Sequence, residues 1–289
     1  MKHPMTNVIV YKPGHNKPAK SKQKINLPLY RNSKHLILSL ALGGGEYQLL
    51  ATLLINSLRN IGNYSGDIVV ITDTKDIKYD NAITIYKNNC SLNNKQDIRR
   101  YKLVAHLDIP NLEQYDKIMF CDADVICVSD VNKMFEYIDT NDIYCVTVHQ
   151  PMYLKYSIRE ERAEISKYQL CATGHFGGYT HVYKKKLRLW NHYTKQSFAI
   201  CKQMNIEEVM NRLIFNNLIN YRLYPEYWVE TTACLFHNRD ILREEDIHKI
   251  CLLHILDRHK LRLAKNIFNY LYGGSSLVKV LRDLWHVKI

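Results

Sequence analysis

The chain has 289 residues, 46% of them hydrophobic and 24% charged, with 40 Lys and Arg against 28 Asp and Glu for a formal net charge of +12. That length accommodates one large α/β domain or two small ones with a sizeable core, and no run approaches the roughly 18 apolar residues of a membrane-spanning helix. The positive balance points to an acidic partner (a nucleotide, a phosphorylated glycan, nucleic acid or an anionic membrane) without choosing among them.

Residues 1–34 carry many lysines, four prolines and no acidic residue, and read as a basic arm with an edge strand at most over Met5–Tyr11. Nothing there has the apolar core of a signal peptide. The eight cysteines, at 90, 121, 127, 145, 171, 201, 234 and 251, form no Cys-x-x-Cys pair, and several stand inside apolar runs. That usage fits a reducing compartment rather than a disulfide scaffold or a zinc site, so the expected location is cytoplasmic.

From residue 35 the pattern alternates. His35–Leu42 predicts a buried strand, Gly43-Gly44-Gly45 a break, and Glu46–Ile61 a helix with Leu49, Leu50, Leu53, Leu54 and Leu58 on one side. Strands follow at Asp67–Thr72 and Ala82–Tyr86, then a helix at Asp97–Leu107 closed by Pro110. The triple glycine lacks Gly-x-Gly-x-x-Gly spacing, which excludes a nicotinamide fingerprint. An apolar strand over Ile118–Cys121 then stops at Asp122-Ala123-Asp124. Beyond it come a strand at Ile143–Val148, a polar stretch at Pro151–Lys167, Gly174-His175-Phe176-Gly177-Gly178 before a strand at Tyr179–Tyr183, and helices at Leu187–Met204 and Glu207–Leu218. An aromatic loop (Tyr224–Trp228) and a last strand (Ile250–Leu256) precede a basic, aromatic tail with an amphipathic stretch at Leu277–Val287. The expected architecture is α/β: a Rossmann-like, mixed and mostly parallel sheet flanked by helices, with an arm (1–34), one catalytic domain (35–260) and a tail (261–289).

Asp122 and Asp124 fall where such sheets bind ligands, at the carboxyl end of a strand. Strand alternation puts both carboxylates on one face with the small Ala123 between them, leaving room for a ligand near the backbone. Two carboxylates so close repel, and a divalent ion with oxygen ligands, Mn²⁺ or Mg²⁺, relieves that repulsion. The ordinary alternative is a solvated strand end, and isolated Asp-x-Asp triplets are common by chance.

Taken together, the residues resemble the glycogenin-like retaining glycosyltransferases of family eight, whose fold is named GT-A. The resemblance runs in order from about Leu36 to Lys260. It implies that Asp122, Asp124 and His254 hold a metal ion and that Lys260, six residues past His254, holds the donor diphosphate. It implies that Tyr47 stacks on uracil, that Lys102 contacts the donor with Asp122 and Ala123, and that Glu207-Glu208 lie beneath the reacting sugar where the family has Asp-Gln. Phe176-Gly177-Gly178 stands for the family's Asn-x-Gly without its Asn, with Gly177 and Gly178 allowing the sugar's approach. Asp257 replaces a glycine, and Leu261-Arg262 replaces Pro-Trp. The implied donor is a UDP-sugar and the implied acceptor a hydroxyl of a glycan, protein or lipid, with no specific nucleic acid. Each residue has an ordinary alternative: His254 and Tyr47 as core side chains, Lys102 and Lys260 as surface lysines, Glu207 and Glu208 as helix-start acids favoured by the dipole, and Gly177-Gly178 as a turn. Two rival functions are a haloacid-dehalogenase-type phosphatase, which also has a strand ending in Asp-x-Asp, and a non-catalytic basic binding module. The tail suits either an anionic membrane surface or docking onto the domain.

Overall fold

The computed structural model describes residues 34–88, 95–147, 171–200, 206–232, 244–256 and 259–286. The expected edge strand at Met5–Tyr11, the polar stretch at Pro151–Lys167 and Asp257 lie outside the described residues, as does all of the arm but Lys34.

The strands are β1 (His35–Ala41), β2 (Asp67–Thr72), β3 (Ile83–Tyr86), β4 (Lys117–Cys121), β5 (Val125–Cys127), β6 (Ile143–Thr147), β7 (Cys171–Tyr179), β8 (Tyr221–Leu223), β9 (Val229–Thr231) and β10 (Leu252–His254). The helices are α1 (Gly45–Asn60), α2 (Lys95–Tyr101), α3 (Asn132–Tyr137), α4 (Thr180–Ile200), α5 (Ile206–Phe215), α6 (Glu244–Ile247), α7 (Lys260–Tyr272) and α8 (Leu277–His286). Seven strands form one sheet in the order β3-β2-β1-β4-β7-β6-β8, and β5-β10-β9 form a second. In the large sheet only the pairings of β7 with β4 and with β6 are antiparallel. This is the mixed, mostly parallel sheet flanked by helices that the alternating pattern predicts.

Period-two side-chain alternation feeds two cores. Ile37, Ala41, Ile68, Val70, Met119 and Cys121 face α1, the second sheet and α7, while Leu36, Leu38, Val69, Ile71, Ile118 and Phe120 face α4 and α5. Burial on both sides is why these strands read as continuous apolar runs. On α1 the buried stripe is Leu50, Ala51, Leu54, Ile55 and Leu58, and Leu49 turns outward at 48% exposure. Leu49 therefore does not belong to the apolar side expected of it, because it is rotated by about 100° from Leu50.

Three expectations are corrected. The helix placed at Asp97–Leu107 ends at Tyr101, and Ala105–Asp108 is a separate 3₁₀ turn. Asp108 is buried and pairs with the Lys87 ammonium at 2.8 Å and the Tyr101 hydroxyl, which pins the chain out of the helical path. The strand placed at Tyr179–Tyr183 is instead the end of β7 and the first turn of α4. Thr180 donates its N–H to the Asp116 carbonyl at 2.9 Å and its hydroxyl to the Tyr115 carbonyl, fixing the helix start. The glycine stretch before it is strand. A Cβ on Gly177 would come within 2.9 Å of the Ile118 carbonyl oxygen, so only glycine allows β7 to approach β4 this closely.

The segment from Lys260 packs on the domain: Leu263, Ala264 and Ile267 of α7 and Val280 and Leu281 of α8 are buried in the core that α1 faces. No helix among the described residues is long and apolar enough to cross a membrane.

Candidate metal and nucleotide site

β4 enters the sheet between β1 and β7, with Ile118 to Cys121 wholly buried. After Cys121 the chain does not continue as a flat strand. Asp122 donates its N–H to the Gly174 carbonyl at 3.0 Å, holding it to the large sheet. Ala123 and Asp124 turn, and β5 crosses to pair with β10 in the second sheet. The Asp124 carbonyl accepts the Ile255 N–H at 2.8 Å. Ala123 is 3% exposed, its methyl taken up by the core, and the carboxylates on either side converge on one spot. The Ala123 methyl thus contributes packing at this turn.

His254 ends β10, and its Nε2 lies 3.2 Å from Asp124 Oδ1. One ligand atom from each of Asp122, Asp124 and His254 falls within 4.8 Å of the others. Gly174 supplies the space beside them: a Cβ there would stand 3.3 Å from Asp122 Oδ2 and from His254 Nδ1 and Cε1. Two carboxylates and an imidazole around such a gap suit one divalent ion.

Each carboxylate also has its own lysine. The Lys102 ammonium reaches Asp122 at 2.5 Å, and that of Lys260 reaches Asp124 at 2.8 Å. Lys102 is not the exposed helix lysine of the ordinary alternative: it follows the last residue of α2 and is 17% exposed. Lys260 opens α7, donates to the Tyr47 hydroxyl at 3.0 Å and lies 4.3 Å above the Tyr47 ring, a cation–π contact from the first turn of α1. Burial opposes charge on Asp124, but His254 and Lys260 outweigh it and hold its carboxyl below the usual range. Burial pushes the Asp122 carboxyl up, with Lys102 acting against it. Burial likewise opposes the charged forms of His254 and Lys260, and Asp124 overcomes it, so both are raised.

The two glutamates part company. Glu207, in the first turn of α5, turns to β7 and accepts the Thr173 N–H at 3.1 Å, one residue before Gly174. Burial raises its carboxyl, and Lys102 and Asp122 are among the charges acting on it. Glu208, one step around the helix, meets Arg212 at 3.2 Å. Gly177 and Gly178 are not brought to the carboxylates. They pair with Met119 and Ile118, toward the start of β4, and the space over Gly177 holds the Tyr224 hydroxyl. Gly174, which the sequence reading passed over, stands where those glycines were expected, because the antiparallel register sets His175 against Cys121. Thr173 and His175 were missed for the same reason: strand pairing leaves no local signal. A separate cleft lined by His35, Lys117, Tyr179 and His181 opens at the other end of β4, with Lys117 held by the Phe135 carbonyl at 2.7 Å.

No family model matches the chain, and no curated protein matches it. Among solved structures it is similar to the apo structure of WbbM, a bifunctional glycosyltransferase, with a TM-score of 0.51 and 11% identity over 78% of this chain. It spans 46% of that structure's chain. The likeness shows a shared fold.

Proposed function

We propose that this chain is a metal-dependent, retaining glycosyltransferase that moves a hexose-type sugar from a UDP-sugar to a hydroxyl of a glycan, protein or lipid. The observation that carries the reading is the convergence of Asp122, Asp124 and His254, ringed by Lys102, Lys260 and Tyr47, at the carboxyl end of β4. A fold shared with a glycosyltransferase supports it. A phosphatase with an aspartyl nucleophile needs no imidazole and aromatic ring at this spot, and a basic scaffold needs no buried carboxylate pair.

Asp122, Asp124 and His254 would hold a divalent ion, Mn²⁺ or Mg²⁺, whose positive charge would act where the sugar–phosphate bond breaks. The rest is the work of side chains. Lys260 adds a second cation for the departing diphosphate, and Tyr47 offers its ring to the uracil. Lys102 holds Asp122 in place and faces the donor. Glu207, held on Thr173 beside Gly174, provides negative charge for the face of the sugar away from the leaving group, with Glu208 next to it on α5 paired to Arg212. An acceptor hydroxyl then approaches from the leaving-group side and gives its proton to the departing diphosphate as the sugar–phosphate bond breaks, so configuration is kept.

The test is calorimetry with UDP, with and without Mn²⁺, on the full chain and on Asp122→Asn and Asp124→Asn. Both variants should fold as the parent does and lose Mn²⁺-dependent UDP binding. Unchanged affinity in both would overturn the ion site, and a preference for polyanions indifferent to Mn²⁺ would favour the non-catalytic rival. NMR of the first product from a UDP-α-sugar should show an α-anomer; a β-anomer refutes retention.

A further inference from the structure

Behind His254 stands a second imidazole that the proposed reaction leaves unused. His175 lies in β7 opposite Cys121 and is 1% exposed. Neither of its ring nitrogens has a hydrogen-bond partner among the described residues. Buried polar atoms are nearly always paired, and one that is not marks a missing water or ion, or a group kept for work. An apolar side chain would fill this position without leaving two nitrogens unsatisfied, so packing alone does not account for a histidine.

Its surroundings point to the ion site. The His175 ring stands at 84° to the His254 ring, with centroids 5.4 Å apart. Two imidazoles that share one ion, with metal–nitrogen distances of about 2.0–2.1 Å, have ring centres about 5 Å apart. The observed spacing is that of a pair able to hold a common ion. Gly174, the residue before His175, leaves open space beside Asp122 and His254: a Cβ there would stand 3.3 Å from both. His175 is not among the three groups whose ligand atoms already converge; it is the adjacent unsatisfied donor.

We propose that His175 is a fourth donor of the ion site, an inference that rests on the reading of Asp122, Asp124 and His254 as metal ligands. With two carboxylates and two imidazoles the site selects a first-row transition ion over Mg²⁺, because imidazole suits transition ions whereas Mg²⁺ takes oxygen donors.

The experiment uses Mn²⁺ alone, added to the full chain. Electron spin echo modulation counts the imidazole nitrogens bound to it. Two are expected in the parent, one in His175→Phe and one in His254→Gln. Calorimetric titration with Mn²⁺ and with Mg²⁺ should show the ratio of their affinities falling about tenfold or more in His175→Phe. A single bound nitrogen in the parent, or an unchanged ratio in His175→Phe, overturns the role of His175 and leaves the three-ligand site standing. No bound Mn²⁺ in the parent overturns that site itself. If His175→Phe does not fold, the parent and His254→Gln spectra decide: a nitrogen that persists without His254 comes from His175.

Discussion

Ala123 carries no chemistry, yet its methyl group, drawn into the core, accompanies the turn that brings two carboxylates together. At the scale of single residues, the chemistry-bearing side chains were legible wherever a motif placed them in order: Asp122, Asp124 and His254 meet, and Lys102, Lys260 and Tyr47 join them. Gly174, Thr173 and His175 were not, because only antiparallel pairing of β7 with β4 brings them there. Between the glutamates, the resemblance points to Glu208 by position, whereas side-chain direction points to Glu207, which turns to Thr173 while Glu208 meets Arg212. Glu207→Gln keeps an acceptor for the Thr173 N–H, so the fold should hold. If its charge faces the sugar, turnover should fall about a hundredfold with UDP affinity nearly unchanged, which a KM-against-kcat comparison checks. Loss of UDP binding instead would make Glu207 structural.

His106 gives a pH dependence of stability. It is buried edge-on to Tyr183 at 5.6 Å. Burial, reinforced by Lys184 and Arg188, lowers its pKa from 6.5 to about 4. The folded chain therefore keeps this ring neutral, while the unfolded chain takes up a proton below pH 6.5. The stabilisation is complete above that value and drains away as pH falls toward about 4, a loss of roughly 3 kcal/mol from this group. Urea denaturation across the window should show the slope, and His106→Gln should flatten it.

At the scale of elements, the alternating segments of the first half were legible, whereas β7, with glycines where apolar side chains would mark a strand, and the start of α4 were not. β1, α1, β2 and β4 fall within a residue or two of their expected bounds. β8 and β9, of three residues each, were hidden inside what reads as an aromatic loop and its flanks, since three residues hold too little alternation to register. The tail was legible as amphipathic at Leu277–Val287, but its apolar side had two candidate destinations. In the structure the buried residues of α7 and α8 join the core of α1. Ile267→Ala should thus cost about 2–5 kcal/mol of stability, as a buried large-to-small change does. Tyr270→Ala, at a position 43% exposed, should stay within about 0.5 kcal/mol. Denaturant midpoints for the two variants check this; equal shifts would mean that α7 is not docked in solution.

At the scale of the molecule, the mixed, mostly parallel sheet and its two helix-covered faces follow from the alternation of buried strands and amphipathic helices, and that much the chain announces in order. What it does not announce is a second sheet, because β5 lies far from β9 and β10 in sequence and joins them only by non-local pairing. The candidate site is the seam between the two sheets: Asp122 is tied to β7 of one, while Asp124 and His254 belong to the other. On the ion reading, a metal there is a rivet as well as a reagent. A chelating buffer would loosen the joint between layers besides removing a reactant. Preparations carrying different traces of metal would then differ in heat tolerance before any sugar is added, and a storage recipe chosen for purity alone could shorten the life of the protein.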